Sequence, residues 1–367
     1  MPSFGKSLEV AAREIRPYLS PAYRKAFRIL LARGLHERLP NEPIVCFDFS
    51  ESAINAVGGR YYYSLVRDVI DAGYFPVFTA KRVTLSSFAT SRMNRFLAKE
   101  RLGVVKSLAD LKEEYLFITD QEGPISPLQT KLVRVNYEHR LCSNPSEIAF
   151  PLFAHPQVTS LVKLPYHYPL DAKRSARLFF AGNTEETKYD KNVIRDIYQM
   201  KTRREILATV SQPSFRPTDA LKWLQSDAFH PYVLCETQHC KIPPELWLDA
   251  LAKADFFLAC PGVSMPLCHN LVEAMAAGTI PILQYANYLP EPLEDEVNCL
   301  TFHNTEGLKR VLEHASSMSQ KEILSLRHQV RSYYQKFLAP GCLTKRLIAM
   351  PQHQITLLLN AYRVPRL

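Results

Sequence analysis

The chain has 367 residues, of which 47% are hydrophobic and 22% charged. It is too apolar for a disordered chain and too long for one compact core, so two domains of ordinary size are expected. Lys and Arg number 45 against 36 Asp and Glu, a formal net charge of +9. That excess fits either an ordinary basic enzyme or one with an anionic partner, such as a nucleotide, a phosphorylated substrate, nucleic acid or an acidic membrane surface.

Residues 1–40, with "SLEVAAREIRPYLSPAYRKAFRILLARGLHERL", form a basic amphipathic helical segment. It reads as a helix packed on the body of the protein ahead of one docked to a membrane, so peripheral membrane contact is the second reading. No signal peptide and no apolar run of membrane-spanning length stands out, which points to a cytoplasmic protein. "EPIVCFDFS" (42–50) is a buried-strand run. A glycine turn and the helix "GGRYYYSLVRDVIDAGY" follow, with Tyr62, Leu65, Val66, Val69 and Ile70 on one face, and then the strand "FPVFTA". Strand, glycine turn, helix, strand is how a parallel sheet with crossover helices begins. "EYLFITD" (114–120) and "KLVRVNY" (131–137) continue it, giving a first domain over 41–160. Prolines at 145, 151, 156, 165 and 169 mark a connection between domains.

A second alternation runs over 170–335. It has the strand "ARLFFAGN", the basic helix "KNVIRDIYQMKTRREILATV", the strand "YVLCET", the helix "PPELWLDALAKA" and the strands "DFFLACPG", "TIPILQY" and "CLTF". This predicts a second doubly wound α/β domain. The last fifth of the chain is expected to be helical. The eight cysteines lie scattered, with no CxxC pair. His239 and Cys240 stand near Cys235 without a second ligand pair, so free thiols and no metal are expected.

The helix between "DFFLACPG" and "TIPILQY" carries the chemistry. At about 100° per residue, His269, Asn270, Glu273 and Ala277 share one arc, and Leu267, Leu271, Ala274, Met275 and Gly278 the other. The helix starts at the carboxyl end of a strand, where ligands bind in open α/β sheets. Gly262 allows a close approach to the backbone, Ser264 caps, and Pro266 suits the first turn. Backbone N–H groups at a helix start attract phosphate. Glu273, further along, is placed to accept from ribose hydroxyls. Together they describe a nucleotide lying on the helix, against the plainer reading of a solvated helix face.

"FFLACPG" with "HNLVEAMAAGTIPILQY" resembles the C-terminal nucleotide-sugar motif of GT-B-fold glycosyltransferases, in particular the exostosin-type branch with its "LxEAxxxGxIPV" pattern. "RLFFAGN" with the basic helix after it is similar to the start of the C-terminal domain in such enzymes. "GGRYYYSLVRDVIDAGYFPVF" is similar to their first acceptor-domain unit. The resemblance implies an α/β chain of two Rossmann-like domains facing across a cleft, with 336–367 a C-terminal helix packing back on the first domain. It also implies transfer from a nucleotide-sugar donor to a glycan or lipid-linked acceptor, in polysaccharide or glycolipid synthesis, with no metal and no cofactor beyond the donor. The commonest retaining pattern has two Glu eight positions apart. Here Met265 and Pro281 stand eight positions either side of Glu273, which favours inversion.

On the donor side the expected ligands are Glu273, Asn270, His269, Gly262, Ser264 and Gly182. Arg203 and Lys188 would balance the departing phosphate, Arg203 standing in the basic cluster with Lys201 and Arg204. An inverting reaction needs a general base. Asp48 and Asp120 are the first candidates, ahead of Glu51, Glu122, Glu138 and His139. Gly58 and Gly59 are expected in a loop over the acceptor, against a plain tight turn, and Tyr61 to Tyr63 are either a sugar-stacking surface or one core ring with two partly exposed. Two other classes compete: a sugar-nucleotide epimerase of the same architecture, and a non-enzymatic nucleic-acid-binding protein. The latter is disfavoured because the basic residues are dispersed and no RNA-binding aromatic motif appears.

Overall fold

The computed structural model describes residues 21–39, 41–50, 52–123, 128–138, 140–162, 168–185, 192–210, 214–263 and 265–363. The chain divides into two units, one of Met1–Ile148 with Pro340–Leu367 and one of Ala149–Ala339. Each is an α/β unit built on its own sheet, and the described strand pairings in both sheets are parallel.

In the first unit, helix α1 (Pro21–Leu31) precedes β1 (Ile44–Asp48), α2 (Ala56–Asp71), β2 (Phe75–Thr79), α3 (Arg82–Thr90), β3 (Gly103–Val105), β4 (Tyr115–Thr119), β5 (Gln129–Glu138) and β6 (Glu147–Ala149). Of the expected N-terminal helical segment, 1–20 lies outside the described residues. β1, β2 and β4 are almost wholly buried, as strands covered on both faces are, and they read as continuous apolar runs. One face packs Ile44, Cys46, Phe75, Val77, Tyr115 and Phe117 together. The other packs Phe47, Phe49, Phe78 and Phe88 around Tyr62 of α2. Tyr61, Tyr62 and Tyr63 are all buried, so they are core and not a stacking surface.

In the second unit, α4 (Pro156–Thr159) is followed by β7 (Ala176–Gly182), α5 (Arg203–Thr209), β8 (His230–Glu236), α6 (Trp247–Ala252), β9 (Ala254–Leu258), α7 (His269–Ala276), β10 (Ile280–Leu283), β11 (Leu300–Thr301), α8 (Thr305–Ser317) and α9 (Gln320–Tyr333). The strand order is β11-β10-β9-β7-β8. The basic helix expected across 191–210 is broken. Thr202 caps α5 through a capping box with Glu205, and Gln199 adopts φ 53°, which no helix continues through. At the amino end of β9, Asp255 takes Arg327 Nη2 and, at 2.9 Å, Arg177 Nη1. Arg327 is fully buried.

The chain then returns to the first unit through α10 (Cys342–Ala349) and β12 (Gln354–Arg363). Thr344 donates to Asp68 Oδ2 of α2 from its N–H at 2.7 Å and its hydroxyl at 2.6 Å. The expectation of a helical C-terminus is corrected here. Residues 354–363 are a strand parallel to β5, because "ITLLL" is an apolar run without helical period that fills a place between β5 and β6. The first sheet thus runs β3-β2-β1-β4-β5-β12-β6, a doubly wound order. Among the described residues no helix is long and apolar enough to cross a membrane.

Candidate functional site

In the second sheet the order reverses beside β7, with β8 on one side and β9 on the other. The crevice at the carboxyl ends of such strands is where doubly wound sheets bind ligands. A cavity of about 310 Å³ opens there, lined by Gly182 and Asn183 after β7, Cys235 of β8, and His269, Asn270 and Glu273 of α7. Its size lies at the lower end of ligand pockets.

Helix α7 starts at His269, three residues later than the expected Pro266. The reason is local. Gly262 N–H bonds the Pro266 carbonyl at 3.3 Å, closing a non-helical turn, and Cys268 becomes the N-cap without a side-chain cap. Gly262 is not among the cavity-lining residues. A Cβ there would lie 2.8 Å from the Met265 carbonyl oxygen, so the chain itself, not a ligand, makes the close approach. The helix ends on Gly278 at φ 68°. Thr279 N–H bonds Ala274 O at 2.8 Å and Gly278 N–H bonds Met275 O at 3.0 Å, the paired bonds of a glycine stop.

Glu273 is 1% exposed, and no longer a partly solvated face residue. Its Oε1 accepts His155 N–H at 2.7 Å and its Oε2 accepts the Trp247 indole N–H at 2.6 Å. Two of about four acceptor positions on the carboxylate thus hold the walls of the cavity together. Asn270 Nδ2 donates to Ala181 O at 3.3 Å, tying α7 to β7. Arg203 Nη1 and Nη2 donate to Asn183 O at 2.8 Å and Pro261 O at 3.1 Å, so its guanidinium clamps the loops after β7 and β9 at the cavity edge. Gly182 admits that clamp, since a Cβ there would lie 3.2 Å from Arg203 Nη1. Ser264 and Lys188 lie outside the described residues. Burial pushes the Cys235 thiol up and the Cys260 thiol up to about 12, so neither is a thiolate at neutral pH. Among the described residues no group of three His, Cys, Asp or Glu side chains is arranged to hold a metal ion.

Two cavity residues escaped the sequence reading. His155 caps α4, its Nδ1 accepting Gln157 N–H at 3.1 Å, and its ring lies 4.7 Å from that of His269. It fell in the stretch taken for a connection between domains. The signal was "FAHPQ", a polar residue before an N1 proline. Trp247 opens α6, and the sequence places it in the helix "PPELWLDALAKA" without marking it as a site residue.

In the first unit, Asp48 and Asp120 both lie at the corresponding reversal, at the ends of β1 and β4. Asp48 faces Lys81 Nζ at 2.7 Å, Gln121 Nε2 at 3.0 Å and the Thr79 hydroxyl. Asp120 accepts from Ser50 N–H at 2.9 Å, the Ser50 hydroxyl at 3.3 Å and the Tyr137 hydroxyl at 2.8 Å. Glu51 and His139 lie outside the described residues. Gly58 and Gly59 are not in a free loop. They sit in the first turn of α2 at φ 71° and 82°, and a Cβ on Gly59 would lie 2.2 Å from Ser91 Oγ. Only glycine allows that contact and that backbone.

No family model matches the chain, and no curated protein matches it. Solved structures that are similar to it include an α-glucosyltransferase in complex with UDP and a mismatched 13-mer DNA, at 11% identity and TM-score 0.41, covering 85% of this chain and 100% of that one. A glycosyltransferase from Rickettsia africae is similar at 9% identity and TM-score 0.44, covering 83% and 97%. HepE of Anabaena in complex with UDP is similar at 11% identity and TM-score 0.41, covering 83% and 98%. At such identities and scores these neighbours do not say what this chain binds.

Proposed function

We propose that the protein is a GT-B-type glycosyltransferase that takes its sugar from a nucleotide-sugar donor held in the second unit. The observation that carries this reading is the cavity at the strand-order reversal, which joins the start of α7 to the buried carboxylate of Glu273 four residues on. The first amides of a helix have no intrahelical partner and carry the positive end of its dipole. They suit a diphosphate, and they stabilise the charge that grows on it as the sugar leaves. Glu273 accepts from a ribose hydroxyl, with Asn270 and His269 beside it. Gly182 lets the wall come close. Arg203 and Lys188 are assigned the cationic balance, and Ser264 a bond to a phosphate.

On the acceptor side Asp120 is the better base of the two candidates. It accepts from Ser50 and Tyr137, whose hydroxyls stand where an acceptor hydroxyl would approach, and Asp48 lies 2.7 Å from Lys81 Nζ. A single glutamate on α7 fits inversion, the acceptor being a glycan or lipid-linked sugar and the reaction independent of a metal. The protein would work in the cytoplasm or at a membrane surface.

The test is thermal unfolding with UDP, GDP, ADP, TDP and CMP in turn. One nucleotide at about a hundred times its Kd should add roughly 2.7 kcal/mol of stability. A melting temperature unmoved by all five would refute the reading.

A further inference from the structure

Just before the cavity, "PLFAHPQ" takes an unusual path. Leu152 and Phe153 both have left-handed backbones, at φ 59° and 36°, and both are buried. Each such residue costs about 1 kcal/mol or more, and successive bulky ones persist only where the surroundings impose them. Phe150 and Phe153 pack edge to face at 5.5 Å and anchor the bend. The bend delivers His155, whose N–H is fixed on Glu273 Oε1 and whose ring lines the cavity beside His269, the first residue of α7.

The tautomer follows from the hydrogen bond. Nδ1 accepts the Gln157 N–H, so in the neutral ring the proton sits on Nε2. Nε2–H is therefore the ring's hydrogen-bond donor, on the edge turned away from α4. The main-chain anchor lies at Glu273, but the imidazole lies at the first turn of α7, the end suited to phosphate.

We propose that His155 is a donor-binding residue whose Nε2–H hydrogen-bonds a phosphate oxygen of the nucleotide-sugar donor at the start of α7. This rests on the nucleotide-sugar reading of the cavity. It adds a side-chain donor from a segment preceding β7, and it explains why strained backbone is kept there.

Two substitutions separate this role from the cap. His155→Asn keeps an N-cap acceptor for Gln157, asparagine being among the best caps, but removes the Nε2 donor. His155→Gln weakens the cap and keeps an N–H at similar reach. Affinities of wild type and both variants are measured by calorimetry for UDP, GDP, ADP and TDP, each beside its nucleoside. A lost bond to a charged oxygen is worth about tenfold or more in affinity. For the diphosphate that binds, His155→Asn should bind about tenfold more weakly while nucleoside affinity holds, and His155→Gln should recover part of the loss. In isotopically labelled wild type, that diphosphate and not the nucleoside should move the His155 Nε2 resonance. An unchanged diphosphate-to-nucleoside ratio in His155→Asn, or an unmoved resonance, overturns the inference alone. Failure of wild type to bind any of the nucleotides overturns the cavity reading and the inference with it.

Discussion

Replacing Glu273 has a stability cost that the structure allows to be worked out. The carboxylate is 1% exposed and accepts two hydrogen bonds, from His155 N–H at 2.7 Å and the Trp247 indole at 2.6 Å. Glu273→Ala leaves both donors without this acceptor, and each buried unsatisfied group costs about 1–3 kcal/mol. The variant should therefore lose roughly 2–6 kcal/mol. Glu273→Gln keeps one carbonyl acceptor and sets an NH2 against the other donor, so its loss should be about 1–3 kcal/mol. Removing the buried negative charge offsets part of this. The second unit spans 191 residues (339 − 149 + 1), for which about 1 kcal/mol moves the melting temperature by about 2–4 °C. The glutamine variant should melt about 4 °C lower and the alanine variant about 10 °C lower. Urea and thermal unfolding followed by circular dichroism measure both. An alanine variant within about 0.5 kcal/mol of wild type, the usual range of surface changes, would show that Glu273 does not hold His155 and Trp247. The glutamine variant is accordingly the one in which to measure nucleotide affinity.

Burial raises Asp68 in the folded protein from 3.8 to about 6, against the lowering effect of the Thr344 bonds. A folded value above the unfolded one means that its contribution is full below about pH 4 and is lost as pH rises through about 6, a change of about 3 kcal/mol. Asp68→Asn keeps an acceptor for Thr344 without this titration. Its stability relative to wild type should thus rise between about pH 4 and pH 7, as denaturant titrations at a series of pH values would record; a flat difference contradicts the assignment. Asp255→Asn should destabilise the second unit by about 3–5 kcal/mol, because the fully buried Arg327 and its neighbour Arg177 lose their common counter-charge. Urea unfolding tests this, and a loss below about 1 kcal/mol, the scale of an exposed pair, would place that pair in the wrong class.

What could be read from the sequence follows from how each element is covered. β1, β2, β4, β7, β9 and β10 are buried on both faces, and their apolar runs announce strands whatever the tertiary context. β3 and β6 have three residues each, too few to show a pattern, and β12 is defined by its partners more than by its own period. Within the site, Glu273 was legible because helical spacing sets it against an apolar face. The contacts that bury it were not, since His155 and Trp247 lie 118 and 26 residues away in the chain. Prolines made the stretch around His155 resemble a connection, and nothing in "PLFAHP" shows that Leu152 and Phe153 turn left-handed. Gly58 and Gly59 were visible as glycines, but a turn, a ligand loop and a close helix contact leave the same letters.

The central claim is that the cavity on α7 holds a nucleotide by its phosphates and ribose. A crystal structure of the protein with the nucleotide that stabilises it tests this most directly. Phosphate oxygens at about 2.7–3.1 Å from the first amides of α7, with a ribose hydroxyl on Glu273, are the predicted result. A nucleotide seated away from α7, or with its phosphates turned out of the cavity, would contradict the account.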